Sequence, residues 1–337
     1  MNPDIENPDE LLEYLRKTER ITNDEQPKVS VLQGGVSNKT VLLERETESW
    51  VIKQALPKLR VQVDWFSDPT RIHREALGLR YLSQFMPQHV PQFIFEDVDN
   101  HILAMSAVPE PHQNWKSVLL NGDIVQHHVK AFGELLGTLH RQAYERRTDF
   151  ADSFADTTFF ESLRLEPYYL YAASQVSEAA TFLETLVEET RKQQTTLVHG
   201  DYSPKNILIY NNTFILLDYE VIHWGDPAFD VGFGMTHLLS KAHYLAEQRS
   251  TFLNAAWVFW KSYSRLVKDL SWSRGLEARA VRHTLACMLA RVRGRSPLEY
   301  LNDEQRERQE KVVIALMSQP PLTFNDLTSE LEKGFAS

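Results

Sequence analysis

Two carboxylates and an amide that could do chemistry follow one another closely in the second half of the chain. Asp201 is preceded by His199 and Gly200, Asn206 follows five residues later, and Asp218 comes after one short predicted hairpin. Because these side chains would meet at one end of two strands, the pattern suits phosphoryl transfer, which depends on positioning and on neutralising phosphate charge with Mg²⁺. Asp201 would orient or accept the proton of an acceptor hydroxyl, and Asn206 and Asp218 would be oxygen ligands of the metal.

Each of these residue types also has an ordinary structural use. An Asp in a loop beside Gly and Ser commonly caps a turn, and only the joint spacing favours the catalytic interpretation of Asp201. His199 is predicted to be a hydrogen-bonded scaffold residue, since a neighbouring carboxylate already fills the role of the base. Lys205 could contact a phosphate, and a solvated loop lysine is an equally good interpretation.

The first part of the chain has the pattern of a small antiparallel sheet. A helical lead with leucines at helical spacing covers residues 7–20, and short β-type runs broken by turn residues follow it. The predicted strands are 29–32, 40–43, 50–54, 92–96 and 101–105, and a helix at 68–85 is inserted after the third of them. We expect residues 1–108 to form an N-terminal lobe.

From residue 109 onward the periodicity is helical, which predicts a larger, mainly α-helical lobe at 109–337. The predicted helices are 127–144, 177–194, 228–240, 246–269, 276–292 and 303–317. A β-type island at 196–217 contains Asn211 and Asn212, which tolerate positive φ and predict a tight hairpin connection. Prolines at 106–111 predict the hinge between the lobes.

Composition and charge exclude several classes of protein. The chain has 337 residues, 42% of them hydrophobic, and a net charge of −10, which argues against nonspecific binding to nucleic acid or anionic lipid. No apolar run approaches the roughly 18 residues of a membrane-spanning helix, and no secretory signal is recognisable at the N-terminus. The lone Cys287 is predicted to be a small buried hydrophobe. We therefore expect a cytoplasmic protein, and its oligomeric state is left open.

The segment 199–206 and the Asp-Tyr-Glu run that begins at Asp218 resemble the signature of the aminoglycoside phosphotransferase and choline kinase superfamily. Gly200 stands where protein kinases have the arginine of His-Arg-Asp. The run Trp-Gly-Asp-Pro-Ala-Phe-Asp resembles a further element of the superfamily, whose last residue, here Asp230, braces the catalytic loop. The resemblance implies an α+β, protein-kinase-like bilobal fold and adds Glu220 to the predicted metal ligands.

Within that superfamily the small lobe resembles the 5-methylthioribose kinases. The matching segments are Trp-Val-Ile-Lys-Gln-Ala-Leu-Pro at 50–57, Arg60, Arg-Ile-His-Arg-Glu-Ala-Leu at 71–77 and His-Val-Pro at 89–91. Two features depart from those kinases: the catalytic loop continues Tyr-Ser-Pro-Lys-Asn, and the twin-arginine motif appears as Arg-Val-Arg at 291–293. Both departures concern the acceptor, so the prediction for ATP is better founded than the choice of acceptor.

The resemblance assigns nucleotide binding to the small lobe. Lys53 would contact the α and β phosphates of ATP, and Glu75 would hold its ammonium. Independently, a strand lysine with apolar neighbours is costly to bury without an anionic partner, and the alternative is an edge-strand lysine that faces solvent. The other residues predicted to contact the nucleotide are Gly34, Gly35, Ser37 and Asn38 around the phosphates, and Ile52, Met105, Ser106, Val108 and Leu208 around the adenine. An ordinary hairpin turn is the alternative for the glycines.

The acceptor is predicted to contact the end of a late helix. Arg291 and Arg293 are candidates because methylthioribose kinases use an arginine pair in a comparable helix, and guanidinium groups suit phosphate. A basic helix C-terminus is also favoured by the helix dipole alone. Tyr168, Tyr169 and Arg164 would shape the pocket.

These residues together predict a kinase that uses ATP and Mg²⁺ to phosphorylate a hydroxyl of a small metabolite, such as methylthioribose. One alternative is an aminoglycoside O-phosphotransferase, with which the negative net charge is compatible. Another is a noncatalytic, nucleotide-binding pseudokinase, although Lys53, Asp201, Asn206 and Asp218 are all present. Neither nucleic acid nor a membrane is expected as a partner.

Overall fold

The computed structural model describes residues 3–33, 35, 37–60 and 65–336. Two compact units are present, one of Met1–His112 with Ile215–Glu220, and the other of Gln113–Phe214 with Val221–Ser337. Asp218 and Glu220 therefore belong to the smaller unit, whereas Asp201 and Asn206 belong to the larger one.

The smaller unit is a five-stranded antiparallel sheet with two helices. Its elements are α1 (Pro8–Lys17), β1 (Lys28–Val31), β2 (Asn38–Glu44), β3 (Ser49–Ala55), α2 (Arg71–Leu82), β4 (Phe93–Asp97) and β5 (Ile102–Ser106). The strand order is β1-β2-β3-β5-β4, and each pairing is antiparallel. The predicted strands and the inserted helix are confirmed, with ends that differ by up to three residues.

The alternation of side chains along β3 explains where the core and the candidate site lie in this unit. Trp50 and Ile52 are buried in one apolar cluster with Leu11 and Leu15 of α1. Because successive strand side chains point to opposite faces, Lys53 lies on the face of the sheet away from that cluster.

The rest of the chain is mainly helical. Its helices are α3 (Trp115–Leu120), α4 (Gln126–Glu145), α5 (Arg147–Phe150), α6 (Thr158–Phe160), α7 (Tyr171–Gln175), α8 (Ser177–Lys192), α9 (Pro227–Tyr244), α10 (Arg249–Val267), α11 (Leu276–Arg293), α12 (Asp303–Ser318) and α13 (Phe324–Ala336). A π-helical segment spans Glu161–Leu170, and 3₁₀ turns lie at Asp152–Phe154, Pro204–Asn206, Ala246–Gln248 and Ser271–Ser273. The strands are β6 (Gln113–Asn114), β7 (Thr196–Val198), β8 (Ile207–Tyr210), β9 (Thr213–Leu216) and β10 (His223–Gly225), in the sheets β6-β8-β9 and β7-β10.

Helix α9 lies at the centre of the larger unit, where it packs against α10 and α11. It begins with the side chain of Asp226, which accepts the N–H of Ala228, and it is buried at each position from Pro227 to His243. A helix that is buried all round is normally apolar, yet α9 contains Asp230 and Lys241. Such charges inside a core require a partner or a function.

The β island has the predicted hairpin, and two other segments differ from expectation. Asn211 and Asn212 have φ of 47° and 58°, as the hairpin requires. The π-helical segment was not predicted, because Pro167 within it interrupts the helical pattern. Helix α13 was also not predicted, although its buried residues Phe324, Leu327, Leu331 and Phe335 have helical spacing.

The helices bear on two predictions, that the chain has no membrane-spanning helix and that Cys287 is buried. Within the described residues, no helix is both long enough and apolar enough to cross a membrane. Cys287 is fully buried in α11, and burial raises the pKa of its thiol to about 12. Cys287 is thus a buried side chain, as predicted.

Candidate functional site

Lys53 and Glu75 form an ion pair in the smaller unit. Lys53 Nζ lies 2.6 Å from Glu75 Oε1 and 3.4 Å from Asp218 Oδ1. The Glu75 side chain is fully buried, and only 14% of the Lys53 side chain is exposed. The predicted contact between the two residues is therefore present, and Lys53 does not face bulk solvent.

Negative charge predominates around Lys53. Burial acts to lower its pKa, but Glu75, Asp218 and Glu220 outweigh that effect and raise it. Burial raises the pKa of Glu75, with support from Asp218 and Glu220 and against the opposing effect of Lys53. Within the described part of the chain, Glu75 Oε2 is buried and has no hydrogen-bond partner. Three carboxylates around one ammonium favour the binding of a further cation.

Arg71 organises the other side of this cluster and was not predicted as a site residue. Its fully buried guanidinium donates from Nε to Glu220 Oε2 at 3.1 Å, and from Nη2 to the carbonyls of Ser37 and Leu56. Arg71 and Glu75 are four residues apart in α2, and that spacing was a usable signal because it places them on one helix face. Since Arg71 already binds Glu220, the assignment of Glu220 as a metal ligand stays a prediction.

The described residues of the predicted phosphate loop differ in their exposure to solvent. Gly34 lies outside the described residues, and Gly35 is exposed. Ser37 and Asn38 are buried, and Asn38 Nδ2 donates to Ser37 Oγ at 3.2 Å. Asn38 Oδ1 is buried and has no hydrogen-bond partner among the residues that the structure describes. Contact of these four residues with a nucleotide stays a prediction.

The residues predicted to surround adenine occupy three strands and a connecting segment. Ile52 of β3 lies in the apolar cluster with α1, on the face of the sheet away from Lys53, so its predicted contact with adenine is wrong. Met105 is buried in β5, while Val108, after β5, and Leu208, in β8 of the larger unit, are half-buried. The N–H of Ser106 donates to the Gln92 carbonyl at 2.8 Å, and Ser106 Oγ accepts the Gln92 N–H at 2.9 Å. The Ser106 N–H is thus already paired, and contact of Ser106 with an adenine stays a prediction.

Asp230 anchors the loop that contains Asp201 in the larger unit. Its fully buried carboxylate accepts the N–H of His199 at 2.6 Å and the N–H of Gly200 at 2.8 Å, and His140 Nε2 lies 3.2 Å from Oδ2. Burial acts to raise the pKa of Asp230, but His140 and His199 outweigh that effect and lower it. The predicted bracing of the loop by Asp230 is confirmed.

The loop needs glycine and histidine before Asp201. Gly200 has φ of 77°, and a Cβ atom there would lie 2.8 Å from Val221 Cγ2. An arginine at this position would be strained and would clash. His199 is fully buried, and its Nδ1 accepts the N–H of Asp201 at 3.1 Å, as expected of a scaffold residue.

Two side chains hold the Asp201 carboxylate. Asn206 Nδ2 donates to Asp201 Oδ2 at 2.8 Å and to the Asp201 carbonyl at 3.0 Å. Arg164 Nη2 lies 3.1 Å from the same Oδ2, and Arg164 Nε donates to the Gly200 carbonyl at 2.7 Å. The Asp201 side chain is 14% exposed, so a small molecule can reach it. These contacts fix the carboxylate in one orientation, which a residue that positions a hydroxyl requires.

The π-helical segment brings three of the predicted acceptor residues together. The guanidinium carbon atoms of Arg164 and Arg291 each lie 5.7 Å from the centre of the Tyr168 ring. Arg291 Nη1 also donates to Tyr168 Oη at 3.2 Å. Since π-helical turns often occur at functional sites, this local irregularity agrees with a functional site next to the loop that contains Asp201.

Two other predicted acceptor residues have separate surroundings. Arg293 is half-exposed and pairs with Glu310 at 2.5 Å. Tyr169 is fully buried, and its Oη lies 2.9 Å from His283 Nδ1. Contact of Arg293 or Tyr169 with an acceptor stays a prediction.

The candidate metal ligands suit a magnesium ion that arrives with a nucleotide. Within the described residues, no three His, Cys, Asp or Glu side chains are grouped to hold a metal. Mg²⁺ needs only one or two protein carboxylates when phosphate oxygens and water complete its coordination. Asp218, with φ of 72°, lies in the negatively charged cluster at Lys53, and Asn206 has an amide oxygen on the catalytic loop. Both side chains have oxygen donors of the kind that Mg²⁺ prefers, and their binding of one ion with ATP stays a prediction.

Comparison with known sequences gives one family match. A model of the phosphotransferase enzyme family matches residues 28–263. A methylthioribose kinase of Yersinia pseudotuberculosis serotype O:1b is 24% identical over an alignment of 262 positions, and the match covers 68% of this chain and 63% of that protein. The chain thus spans less than two thirds of the length of the curated relatives that it matches.

Solved structures of similar fold include two kinases. An amicoumacin kinase, solved with AMP-PNP and Ca²⁺, has a TM-score of 0.59 and 16% identity, with 94% of this chain and 96% of that chain covered. A choline kinase of Cryptosporidium parvum has a TM-score of 0.57 and 12% identity, with 98% and 100% covered. These similarities concern the fold, and they confirm the predicted α+β, protein-kinase-like architecture.

Proposed function

This chain belongs to the phosphotransferase enzyme family, and from that premise we propose that it transfers the γ-phosphoryl group of ATP to a hydroxyl of a small metabolite. The observation that carries the proposal is the cluster in which Lys53 Nζ lies 2.6 Å from Glu75 and 3.4 Å from Asp218. A buried ammonium that is already held by carboxylates can bind phosphate without reorganising, which is how an electrostatically preorganised site works.

The proposed nucleotide-binding residues have complementary tasks. Lys53 binds the α and β phosphates, and Glu75 keeps its ammonium in place. Asp218 and Asn206 hold Mg²⁺, with Glu220 as a further candidate ligand. The metal, when bound, neutralises charge on the phosphate oxygens.

Asp201 is the proposed catalytic residue for the acceptor. It orients the acceptor hydroxyl and takes its proton while the hydroxyl oxygen bonds to the γ-phosphorus and the bond to the departing ADP oxygen breaks. Arg164 and Asn206 act as positioning residues, because both hold Oδ2 of the Asp201 carboxylate, at 3.1 and 2.8 Å.

The proposed acceptor is a sugar or sugar-like metabolite such as methylthioribose. The resemblance of segments 50–57 and 71–77 to the methylthioribose kinases supports this choice, as does the methylthioribose kinase relative. A cytoplasmic location and the absence of nucleic-acid and membrane partners stay predictions.

An acceptor screen tests the proposal. The full chain is incubated with Mg²⁺-ATP and, in turn, with methylthioribose, other pentoses, choline, homoserine and aminoglycosides, and ADP formation is measured. We expect one acceptor class to release ADP, and Asp201→Asn to release none. Stabilisation by Mg²⁺-ATP without turnover on any acceptor would favour a pseudokinase. No rise in Tm at a large excess of Mg²⁺-ATP would contradict nucleotide binding.

A further inference from the structure

The larger unit contains a group of cationic side chains whose charge is not balanced by nearby carboxylates. Its members are Lys116, Lys241 and Arg291. Lys116 of α3 and Arg291 of α11 both repel the ammonium of Lys241 in α9, and Glu299 is the carboxylate that attracts it. Glu299 is itself paired with Lys116. Within the described residues, neither Lys241 nor Arg291 forms an ion pair with a carboxylate.

Lys241 is the most unusual member of this group because it is 0% exposed. Its ammonium donates to the carbonyl of His237, one turn earlier in α9, at 3.2 Å, and lies 5.3 Å from the centre of the Tyr300 ring. An ammonium has three protons to donate, so most of its donor capacity is unused among the residues that the structure describes. Burial, together with Lys116 and Arg291, lowers the pKa of Lys241 to about 7. A buried lysine without an anionic partner reduces stability, so packing alone does not explain it.

Two buried polar atoms next to Lys241, one of Arg291 and one of Tyr300, also lack hydrogen-bond partners among the described residues. Arg291 Nε and Tyr300 Oη make no hydrogen bond in the described part of the chain. The rest of the Arg291 guanidinium is held in place, because Nη1 donates to Tyr168 Oη at 3.2 Å and to Ser296 Oγ at 2.9 Å. Buried polar groups of folded proteins are nearly always paired with protein, ordered water or a ligand, so the unpaired atoms around these charges need water or a polar ligand as a partner.

The group is connected to the proposed catalytic residue by direct side-chain contacts. Arg291 contacts Tyr168, Tyr168 contacts Arg164, and Arg164 contacts Asp201. A continuous series of side-chain contacts thus runs from Asp201 to Arg291 within the larger unit.

We propose that Lys241, Arg291 and Tyr300 bind a negatively charged group, a carboxylate or a phosphate, of the acceptor whose hydroxyl Asp201 orients. The inference rests on the proposed transfer of phosphate to a hydroxyl. It changes the proposed acceptor from a neutral sugar such as methylthioribose to a sugar-like metabolite that carries an anion. Ammonium, guanidinium and phenol groups are all donors that complement an anion. A cationic acceptor such as choline or an aminoglycoside would be repelled, and a neutral sugar would leave these buried donors without a counter-charge.

Anion binding can be tested on the full chain without nucleotide. The Tm is measured with inorganic phosphate, D-glycerate or neutral glycerol, each against sodium chloride at equal ionic strength. We expect an anion but not glycerol to raise the Tm. The anion that gives the larger rise in Tm distinguishes a phosphate site from a carboxylate site. Lys241→Met should raise the Tm of the free protein, because it removes a buried charge, and should weaken the Kd for the preferred anion at least tenfold. Lys261→Met, which removes the same charge from an exposed position of α10, is the matched control and should leave that Kd unchanged.

Several results would overturn the inference. They are the absence of stabilisation by either anion, equal anion affinity in Lys241→Met and wild type, or a lower Tm of Lys241→Met with its anion affinity intact. The Tm shift with Mg²⁺-ATP is measured on the same samples, and its absence in the wild type would count against the proposed function rather than against the anion site. With an anionic acceptor in hand, Lys241→Met should raise its KM at least tenfold and leave the KM for ATP within about twofold; an unchanged acceptor KM would contradict the inference.

Discussion

The carboxylate of Asp230 accepts the N–H of Gly200 at 2.8 Å, and this hydrogen bond connects the loop that contains Asp201 to the buried helix α9. Gly200 can meet that geometry because its φ is 77°. Lys241 follows Asp230 by about three turns in the same helix, α9. A single helix, α9, thus supports both the residue proposed for catalysis and the proposed anion site.

Replacement of Asp230 should affect both stability and turnover. In Asp230→Asn an NH₂ group replaces one of the two oxygens that accept backbone N–H groups, so one buried donor loses its partner. We expect a loss of about 2–4 kcal/mol in the free energy of unfolding, measured with urea, and a fall in kcat of at least about tenfold. Asp303→Asn, at a position whose side chain is 95% exposed, is the control and should change neither quantity. Unchanged stability of Asp230→Asn would show that the loop does not depend on this contact.

Gly200→Ala tests the backbone geometry of the loop independently of charge. Alanine is disfavoured at a φ of 77°, and its Cβ would press against Val221. We expect a loss of about 1–3 kcal/mol in stability and a lower kcat, because the loop must shift to relieve the contact. Urea unfolding and steady-state kinetics measure the two effects. A variant with wild-type stability and kcat would contradict the assigned strain.

Lys53→Met should weaken nucleotide binding. The variant loses the ammonium that is proposed to bind the ATP phosphates, and we expect the Kd for Mg²⁺-ATP to rise at least about tenfold by calorimetry. Lys39→Met is the matched control on the neighbouring strand β2, where the lysine pairs with Asp4 at 2.7 Å, and it should keep the wild-type Kd. Equal affinities in the two variants would remove Lys53 from the nucleotide site.

The stability of the protein should depend on pH through Lys241. Its pKa in the folded protein is about 7, below the ordinary value of 10.5, so the unfolded chain binds more protons between these pH values. Stability from this group therefore rises with pH in that window, by up to about 1.4 kcal/mol per pH unit. The charged or titratable groups that act on or contact Lys241 are His237 of α9, Lys116 of α3, Arg291 of α11, and Glu299 and Tyr300 after α11.

Urea unfolding at pH 7 and pH 9 measures this effect. Lys241→Met should be more stable than the wild type at pH 7, and the difference should shrink at pH 9. A difference that stays constant between the two pH values would show that Lys241 keeps an ordinary pKa.

Local sequence patterns predicted much of the fold and several of its contacts. Short β-type runs predicted the five strands of the smaller unit, and the Asn211-Asn212 pair predicted the turn between β8 and β9, because both are properties of short segments. The pairing of Lys53 with Glu75 and the bracing role of Asp230 came from resemblance to known kinases.

The features that sequence did not predict depend on tertiary packing. The spacing of Arg71 from Glu75 places both on one face of α2, but the contacts of Arg71 with the Ser37 and Leu56 carbonyls depend on segments that are distant in sequence. Lys241 would ordinarily be interpreted as a solvated helix lysine, and only the packing of other helices around α9 buries it. Its spacing of four residues from His237, within an otherwise apolar run, was the available signal. The π-helical segment was not predicted for a local reason: it contains Pro167, and proline usually ends a helix.

Transfer of label from [γ-³²P]ATP to the acceptor found in the screen, by wild type and by Asp201→Asn, tests the assignment of Asp201 most directly. Asparagine can keep the contact with Asn206 but cannot accept a proton. We expect Asp201→Asn to fold, to bind Mg²⁺-ATP with a Kd within about threefold of wild type, and to transfer label at least about 10³-fold more slowly. Transfer by Asp201→Asn at the wild-type rate would contradict the catalytic role of Asp201.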